Sequence, residues 1–263
     1  MLAAELKGKI PSALQNSEDV LTSSVIGLFK YLSSPKYVQT VLEACVNVNG
    51  EELKFQSSIK EAEFLFWPRL ECSEPDVLIK VKDEFSNDIV IGIEAKYWSD
   101  KSSNEDQSVE LHERKNSQRD QLAREIEDLH KGSTLQYLDI KHVYEIKMIY
   151  LTNHTFIPRE KMLESLRHVQ GVDFPKDQLY WLSWREIHNV VARLKEFDTL
   201  QDQYLVTDLK WLLEKKGLQS FNGYQQDVKE VPAVNLGYRR SQNSYHWADF
   251  KHVGKLTWSY GGE

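Results

Sequence analysis

Asp76, Glu94 and Lys96 are residues whose types and spacing could do chemistry together. Asp76 follows Pro75, 17 residues separate it from Glu94, and Ala95 alone stands between Glu94 and Lys96. Carboxylate oxygens are hard ligands that suit Mg2+ or Mn2+, ions that keep several waters and contact phosphate oxygens. A metal so held can polarise a phosphodiester and help to form hydroxide at neutral pH, while an ammonium group orients the attacking water or steadies developing charge. The reaction such a trio implies is phosphodiester hydrolysis. Taken singly, each residue is as well explained as a solvated strand charge, so the reading rests on the combination.

The elements around the trio must bring it together. Val77, Ile79 and Val81 alternate with Leu78 and Lys80, and Ile89-Val90-Ile91-Gly92-Ile93 is a second β-rich run. The cluster from Asp83 to Asp88 between them is turn-like, so the two runs form a hairpin. A turn near Phe85 and Ser86 sets Asp76, at the start of one strand, beside Glu94, at the end of its antiparallel neighbour. Side chains alternate along a strand, which puts Glu94 and Lys96 on one face and Ile93 and Ala95 on the other. Asp76 shares the Glu94 face, given one residue of slack in the turn.

Further elements follow from periodicity and caps. Ser17 as N-cap, with Glu18 and Asp19 in the first turn, predicts a helix over about 18–33. A second helix is expected over about 37–46, after Pro35, and the polar stretch up to Lys60 has no assignable element. Phe64, Phe66 and Leu70 around Trp67-Pro68 suggest a strand ending in a turn. Beyond the hairpin, a helix over about 116–130 ends near Gly132, Val143–Leu151 reads as a buried strand, and Pro158 opens a helix to Val169. A strand at Leu179–Leu182, a helix over 184–195 and a helix from Thr199 to near Gly217 complete the pattern. The fold class expected is α/β, a central mixed sheet flanked by helices, with a core over 1–197 and a helical, loop-rich carboxy-terminal extension over 198–263.

A chain of 263 residues, 41% hydrophobic and 11% aromatic, can bury a sizeable core. Its net charge of −7 counts against a protein that coats nucleic acid, because phosphate binding draws on an excess of cations. A nuclease needs only a local basic cleft, and bound metal offsets part of the negative charge. No apolar run is long enough to span a bilayer and the amino terminus lacks a secretory pattern, so a cytoplasmic location without membrane association is expected. Cys45 and Cys72 are read as buried reduced thiols.

The string Pro75-Asp76 followed by Glu94-Ala95-Lys96 resembles the PD-(D/E)XK nuclease superfamily, and the expected element order from Phe64 to Lys195 matches its core, a mixed sheet between helices. The resemblance implies metal ligation by Asp76 and Glu94, with the Ala95 carbonyl as a further ligand and Lys96 assisting the attacking water. Members often carry an acid on the helix before the hairpin and a glutamine on the helix after it, which points to Glu18 as a metal ligand and Gln121 as a catalytic residue. Glu63, Glu71 and Gln118 compete for these two places. The strings Glu18-Asp19-Val20-Leu21-Thr22-Ser23, Phe66-Trp67-Pro68-Arg69, Glu94-Ala95-Lys96-Tyr97-Trp98-Ser99 and Asp120-Gln121-Leu122 resemble nuclease-like proteins of bacterial anti-phage or restriction loci. The implied activity is Mg2+- or Mn2+-dependent cleavage of DNA in bacterial defence. The alternative is a catalytically silent module of that fold, binding nucleic acid or a partner protein in a defence complex.

Other chemistries find less support. The eight histidines lack metal-ligand spacing, and neither a G-x-S-x-G elbow nor a glycine-rich phosphate loop is present. Arg239, Arg240, Lys251 and Lys255 are interleaved with Tyr245, Trp247, Phe250 and Trp258 in the tail. Such a mixture can contact phosphates and stack on bases, although packing on the core explains it slightly better.

Overall fold

The structure, a computed structural model, describes residues 5–9, 17–97 and 119–220. The chain divides into two compact units, Met1–Phe221 and Asn222–Glu263. The second unit, and with it the basic and aromatic tail, lies outside the described residues, as does Gln118.

The first unit is α/β. Helices α1 (Glu18–Phe29) and α2 (Lys36–Leu42) precede strands β1 (Val46–Asn47), β2 (Ile59–Phe66), β3 (Val77–Asp83) and β4 (Asp88–Ala95). Helices α3 (Gln121–Leu129) and α4 (Gly132–Tyr137), strand β5 (Val143–Thr152), helix α5 (Arg159–His168), strand β6 (Leu179–Ser183), and helices α6 (Trp184–Arg193) and α7 (Leu200–Lys215) follow. The six strands form one sheet in the order β1-β6-β5-β4-β3-β2. The β2–β3, β3–β4 and β1–β6 pairs are antiparallel, whereas β4–β5 and β5–β6 are parallel, so the sheet is mixed.

Alternation along the central strands divides the core in two. Val77, Ile79, Val81, Ile89, Ile91, Ile93, Ile149 and Leu151 pack with buried residues of α1, α2, α6 and α7. Leu78, Val90, Met148 and Tyr150 face the other way, against Leu122, Ile126 and Leu129 of α3 and Met162 of α5. Because both faces are covered, β4 reads as a nearly continuous apolar run rather than an alternating one.

Gly92 has a specific role in this layer. A Cβ there would stand 2.7 Å from Met148 Sδ and 2.9 Å from Leu129 Cδ1, so the absence of a side chain lets α3 sit close against β4.

Several boundaries differ from expectation. Helix α1 stops at Phe29, and the chain turns through Ser33 and Ser34 to the Pro35 that precedes α2. Ser17 occupies the N-cap position but its side chain makes no capping bond. The two-residue β1 and the start of β2 fall in the segment left unassigned; β2 is an edge strand whose Lys60, Glu61 and Glu63 face solvent, so it lacks an apolar signature. Helix α4 begins at the Gly132 expected to close its predecessor. Cys45 is buried as expected, but Cys72 is exposed.

Helix α7, which opens the expected carboxy-terminal extension, is capped by a reciprocal Thr199–Asp202 pair and buries Val206, Leu209, Leu212 and Leu213 in the same core as α1 and α6. Among the described residues no helix is long and apolar enough to cross a membrane.

Candidate active site

The hairpin register places the trio directly. Val77 lies opposite Ile93, Leu78 opposite Gly92 and Ile79 opposite Ile91. Continued by one residue, that register sets Asp76 against Glu94 without slack, on the face turned toward α3. The turn comes where expected, with Ser86 in the left-handed region at φ 66° and its N–H donating to the Asp83 carbonyl at 3.0 Å. The trio therefore sits at the carboxyl end of β4, which is also the end from which the parallel strands β5 and β6 leave the sheet. In open α/β sheets this is the side on which ligands bind.

Each side chain is held by identifiable neighbours. Asp76 Oδ2 accepts the Ala95 N–H at 2.8 Å and Oδ1 accepts Trp67 Nε1–H at 3.2 Å. Trp67 itself adopts φ 46°, a left-handed conformation costly for a bulky residue, and its N–H donates to the Asp76 carbonyl at 3.0 Å. The Lys96 ammonium contacts Glu94 Oε1 and lies 3.3 Å from Glu18 Oε1. Glu18 Oε2 accepts the Tyr97 N–H at 2.6 Å, so the start of α1 is tied to the end of β4. Lys96 N–H donates to the Leu151 carbonyl at 2.7 Å, and Trp184 Nε1–H donates to the Lys96 carbonyl at 3.1 Å, which fixes the strand end from β5 and α6.

A fourth acid joins the group from above the sheet. Glu125, on α3, is fully buried and its carboxyl lies against that of Glu94. Gln121, one turn earlier, interacts with the Glu125 carboxyl and favours its ionised form, whereas the contact with Glu94 favours the protonated one. Asp120 caps this helix through the Ala123 N–H at 3.1 Å. The loop between Trp67 and Asp76 is clamped onto α3, with Asp128 Oδ2 accepting from Cys72 N–H and Ser73 Oγ–H, each at 2.7 Å. Arg124 Nη1 donates to the Cys72 carbonyl at 3.1 Å in the same clamp.

The electrostatics follow from burial and crowding. Burial, and then the charge of Asp76, push the Glu94 carboxyl up to about 8 against the pull of Lys96. Glu125 is driven well above the usual carboxylate range by burial first and by Glu94 next. Burial also raises Asp76, although the Ala95 N–H and Lys96 work against it. For Lys96 burial alone would favour the neutral amine, but Glu94, Glu18 and Asp76 together outweigh it and keep the ammonium charged. Buried acids crowded at a strand end, with one lysine among them, form an environment that a cation would stabilise.

The carboxylates present are of the kind that suits a hard divalent ion. Among the described residues, however, no three His, Cys, Asp or Glu side chains are placed to hold a metal as they stand.

The structure thus brings together Asp76, Glu94, Ala95, Lys96 and Glu18, with Gln121 at the first position of α3 beside Glu125. Glu63 is exposed on β2, and the exposed Glu71 pairs with Lys131 at 3.2 Å. Sequence reasoning missed Glu125, Trp67 and Trp184 as site residues. Glu125 is four residues after Gln121, so the helical repeat alone puts both on one face. Comparison with family models, with curated proteins and with solved structures gives no match.

Proposed function

We propose that this chain is a divalent-metal-dependent nuclease that hydrolyses phosphodiester bonds of DNA in bacterial defence, built on a restriction-endonuclease-like core of the PD-(D/E)XK kind. The observation that carries the reading is the opposition of Asp76 and Glu94 across β3 and β4, with Lys96 on Glu94, at the carboxyl end of β4. Asp76, Glu94 and the Ala95 carbonyl are the groups that would hold Mg2+ or Mn2+, which when bound supplies charge for the phosphate oxygens and acidifies water. The protein's own residues prepare that chemistry. Trp67 and the Ala95 N–H hold the Asp76 carboxylate in one orientation, and Glu18 anchors the strand end that carries Lys96. Lys96, kept protonated by its acidic neighbours, offers positive charge to the attacking water or to the phosphorane-like transition state.

Two observations favour a second reading, a catalytically silent module that binds nucleic acid or a partner protein in a defence complex. The net charge is −7, and no ready three-ligand group is formed among the described residues. Incubation with supercoiled plasmid in Mg2+ or Mn2+, beside EDTA, separates the two. The nuclease reading expects metal-dependent nicking that falls by about a thousandfold or more in Lys96→Ala, roughly 4 kcal/mol of transition-state stabilisation. DNA or partner binding that persists in EDTA, with no nicking at any protein excess, would favour the silent module.

A further inference from the structure

Resting on that reading, we infer that Phe156, on the loop that follows β5, stacks on an unpaired base beside the scissile phosphate, so that the substrate is single-stranded DNA and not an intact duplex. Phe156 is the most exposed large apolar side chain among the described residues, at 81%. Its loop lies beside the strand end that carries the site. Leu151 of β5 stands opposite Ala95, and its carbonyl accepts the Lys96 N–H at 2.7 Å. Phe156 comes five residues later, which bounds its Cα at about 18 Å from Leu151. Ile157 then packs into the core on the α3 side of the sheet, the side that Glu94 faces. The chain therefore crosses the end of the sheet on one flank of β4, while the loop from Trp67 to Asp76 enters β3 on the other.

The loop is firmly built. The fully buried Thr152 accepts Trp181 Nε1–H at 2.8 Å and the His154 N–H at 3.2 Å through Oγ1. The His154 carbonyl accepts Ser183 Oγ–H at 3.1 Å, and the Asn153 carbonyl accepts Arg185 Nη1–H at 2.9 Å. A ring displayed on a segment pinned in this way loses little ordering entropy when it takes a partner. From Asn153 to Pro158 the loop carries no Lys or Arg, so what it offers is the flat face of a ring and not a phosphate contact. A base presents its face where it is unpaired, whereas in a duplex the ring would first have to unstack a base step. Stacking on an aromatic ring raises affinity by about tenfold per base and tolerates any sequence. It also suits a chain of net charge −7, which is poorly equipped to bind along a duplex through phosphates alone.

Steady-state cleavage in Mn2+ of a labelled oligonucleotide, offered as a single strand and as its blunt duplex, tests the assignment in the full chain. Wild type, Phe156→Ala and Phe156→Trp are compared, and melting curves should coincide because the side chain is exposed. The expected wild-type KM is at least about tenfold lower for the single strand than for the duplex. Phe156→Ala should raise the single-strand KM by about tenfold and change kcat by less than about twofold, since stacking away from the scissile bond is held equally in the ground and transition states. Phe156→Trp should restore the wild-type KM. An unchanged KM in Phe156→Ala, a loss that Phe156→Trp does not restore, or a wild-type preference for the duplex would overturn the role of Phe156 and leave the nuclease standing. No cleavage of either substrate by the wild type would overturn the nuclease reading and this inference with it.

Discussion

Asp202, near the start of α7, and Glu94 with Glu125, beneath the end of β4, are all almost wholly buried. Burial alone drives any carboxyl group toward its neutral form. At Asp202 that tendency is overcome. Its oxygens accept the Ser33 N–H at 2.8 Å, Ser33 Oγ–H at 2.5 Å, the Thr199 N–H at 3.1 Å and Thr199 Oγ–H at 2.8 Å, and its carboxyl is held below the usual range. At the strand end the two glutamates face each other instead, with Lys96 on one side only, and both are pushed up. All three are shielded from solvent, but Asp202 lies near the surface of the fold and the two glutamates lie deep, so desolvation weighs more at the strand end, where the hydrogen bonds that offset it at Asp202 are lacking. A fold that can satisfy a buried acid so fully in one place leaves two under-satisfied in another, which is the pattern of strain kept for binding or catalysis.

The largest effect on this comparison comes from emptying the satisfied site. Asp202→Ala removes the acceptor for five donors, the Tyr37 hydroxyl at 3.5 Å among them, that tie Ser33, beyond the end of α1, and α2 to the cap of α7. It should destabilise the protein by about 2–4 kcal/mol in chemical denaturation. Because the folded-state pKa of Asp202 lies below its unfolded value, its contribution is present above the ordinary aspartate range and is lost as pH falls through the depressed value. The variant should therefore lose less stability than the wild type on acidification. An Asp202→Ala protein as stable as the wild type at neutral pH would break the contrast.

Next in size is Gly92→Ala, which acts on the distance between the two glutamates without touching either. The added methyl group meets Met148 and Leu129, and either these give way or α3 lifts from β4. Overpacking of this kind costs about 1–3 kcal/mol. Lifting α3 also draws Glu125 from Glu94, so metal-dependent cleavage should fall by about tenfold while Asp76, Glu94 and Lys96 all remain. A loss of stability with full activity would mean that the close approach of α3 serves packing alone.

How far this contrast was legible in the sequence depends on what each part needed. The hairpin was, because one turn and the strict period of two determine which residue faces which, and Asp76, Glu94 and Lys96 met where alternation put them. The central strands and most helices showed apolar periodicity, whereas β2 hid its single apolar face among edge charges and β1 is too short to show any pattern. Glu125 was not legible. On α3 it follows Arg124 and precedes a run with Glu127 and Asp128; its spacing of four from Gln121 puts it on the Gln121 face, but that spacing does not show how deeply the face is buried or that it meets Glu94. That is decided by Gly92 and Met148, far away in sequence. Trp67 was equally hidden, since a Trp-Pro pair announces a turn but not an indole N–H aimed at an aspartate nine residues later.

The smallest effect, and the one that reverses sign, is Glu125→Gln in metal-free protein. In EDTA the wild type must keep a proton on the Glu94–Glu125 pair or else bury mutual repulsion. Both carboxyls have folded-state values above their unfolded ones, so the native state binds more protons than the unfolded chain between about pH 4.5, the ordinary glutamate range, and the value of about 8 reached at Glu94. Stability of the metal-free wild type should therefore decline as pH rises through that window, the opposite of the Asp202 dependence. Glutamine resembles the protonated acid in shape and cannot ionise, so Glu125→Gln should match the wild type near pH 5 and exceed it near pH 8.5 by an amount of the order of 1 kcal/mol. Melting curves across that range measure the difference. If the variant is less stable than the wild type at the alkaline end, the Glu125 charge is compensated in the folded protein, and the two regions are more alike than their hydrogen bonds suggest.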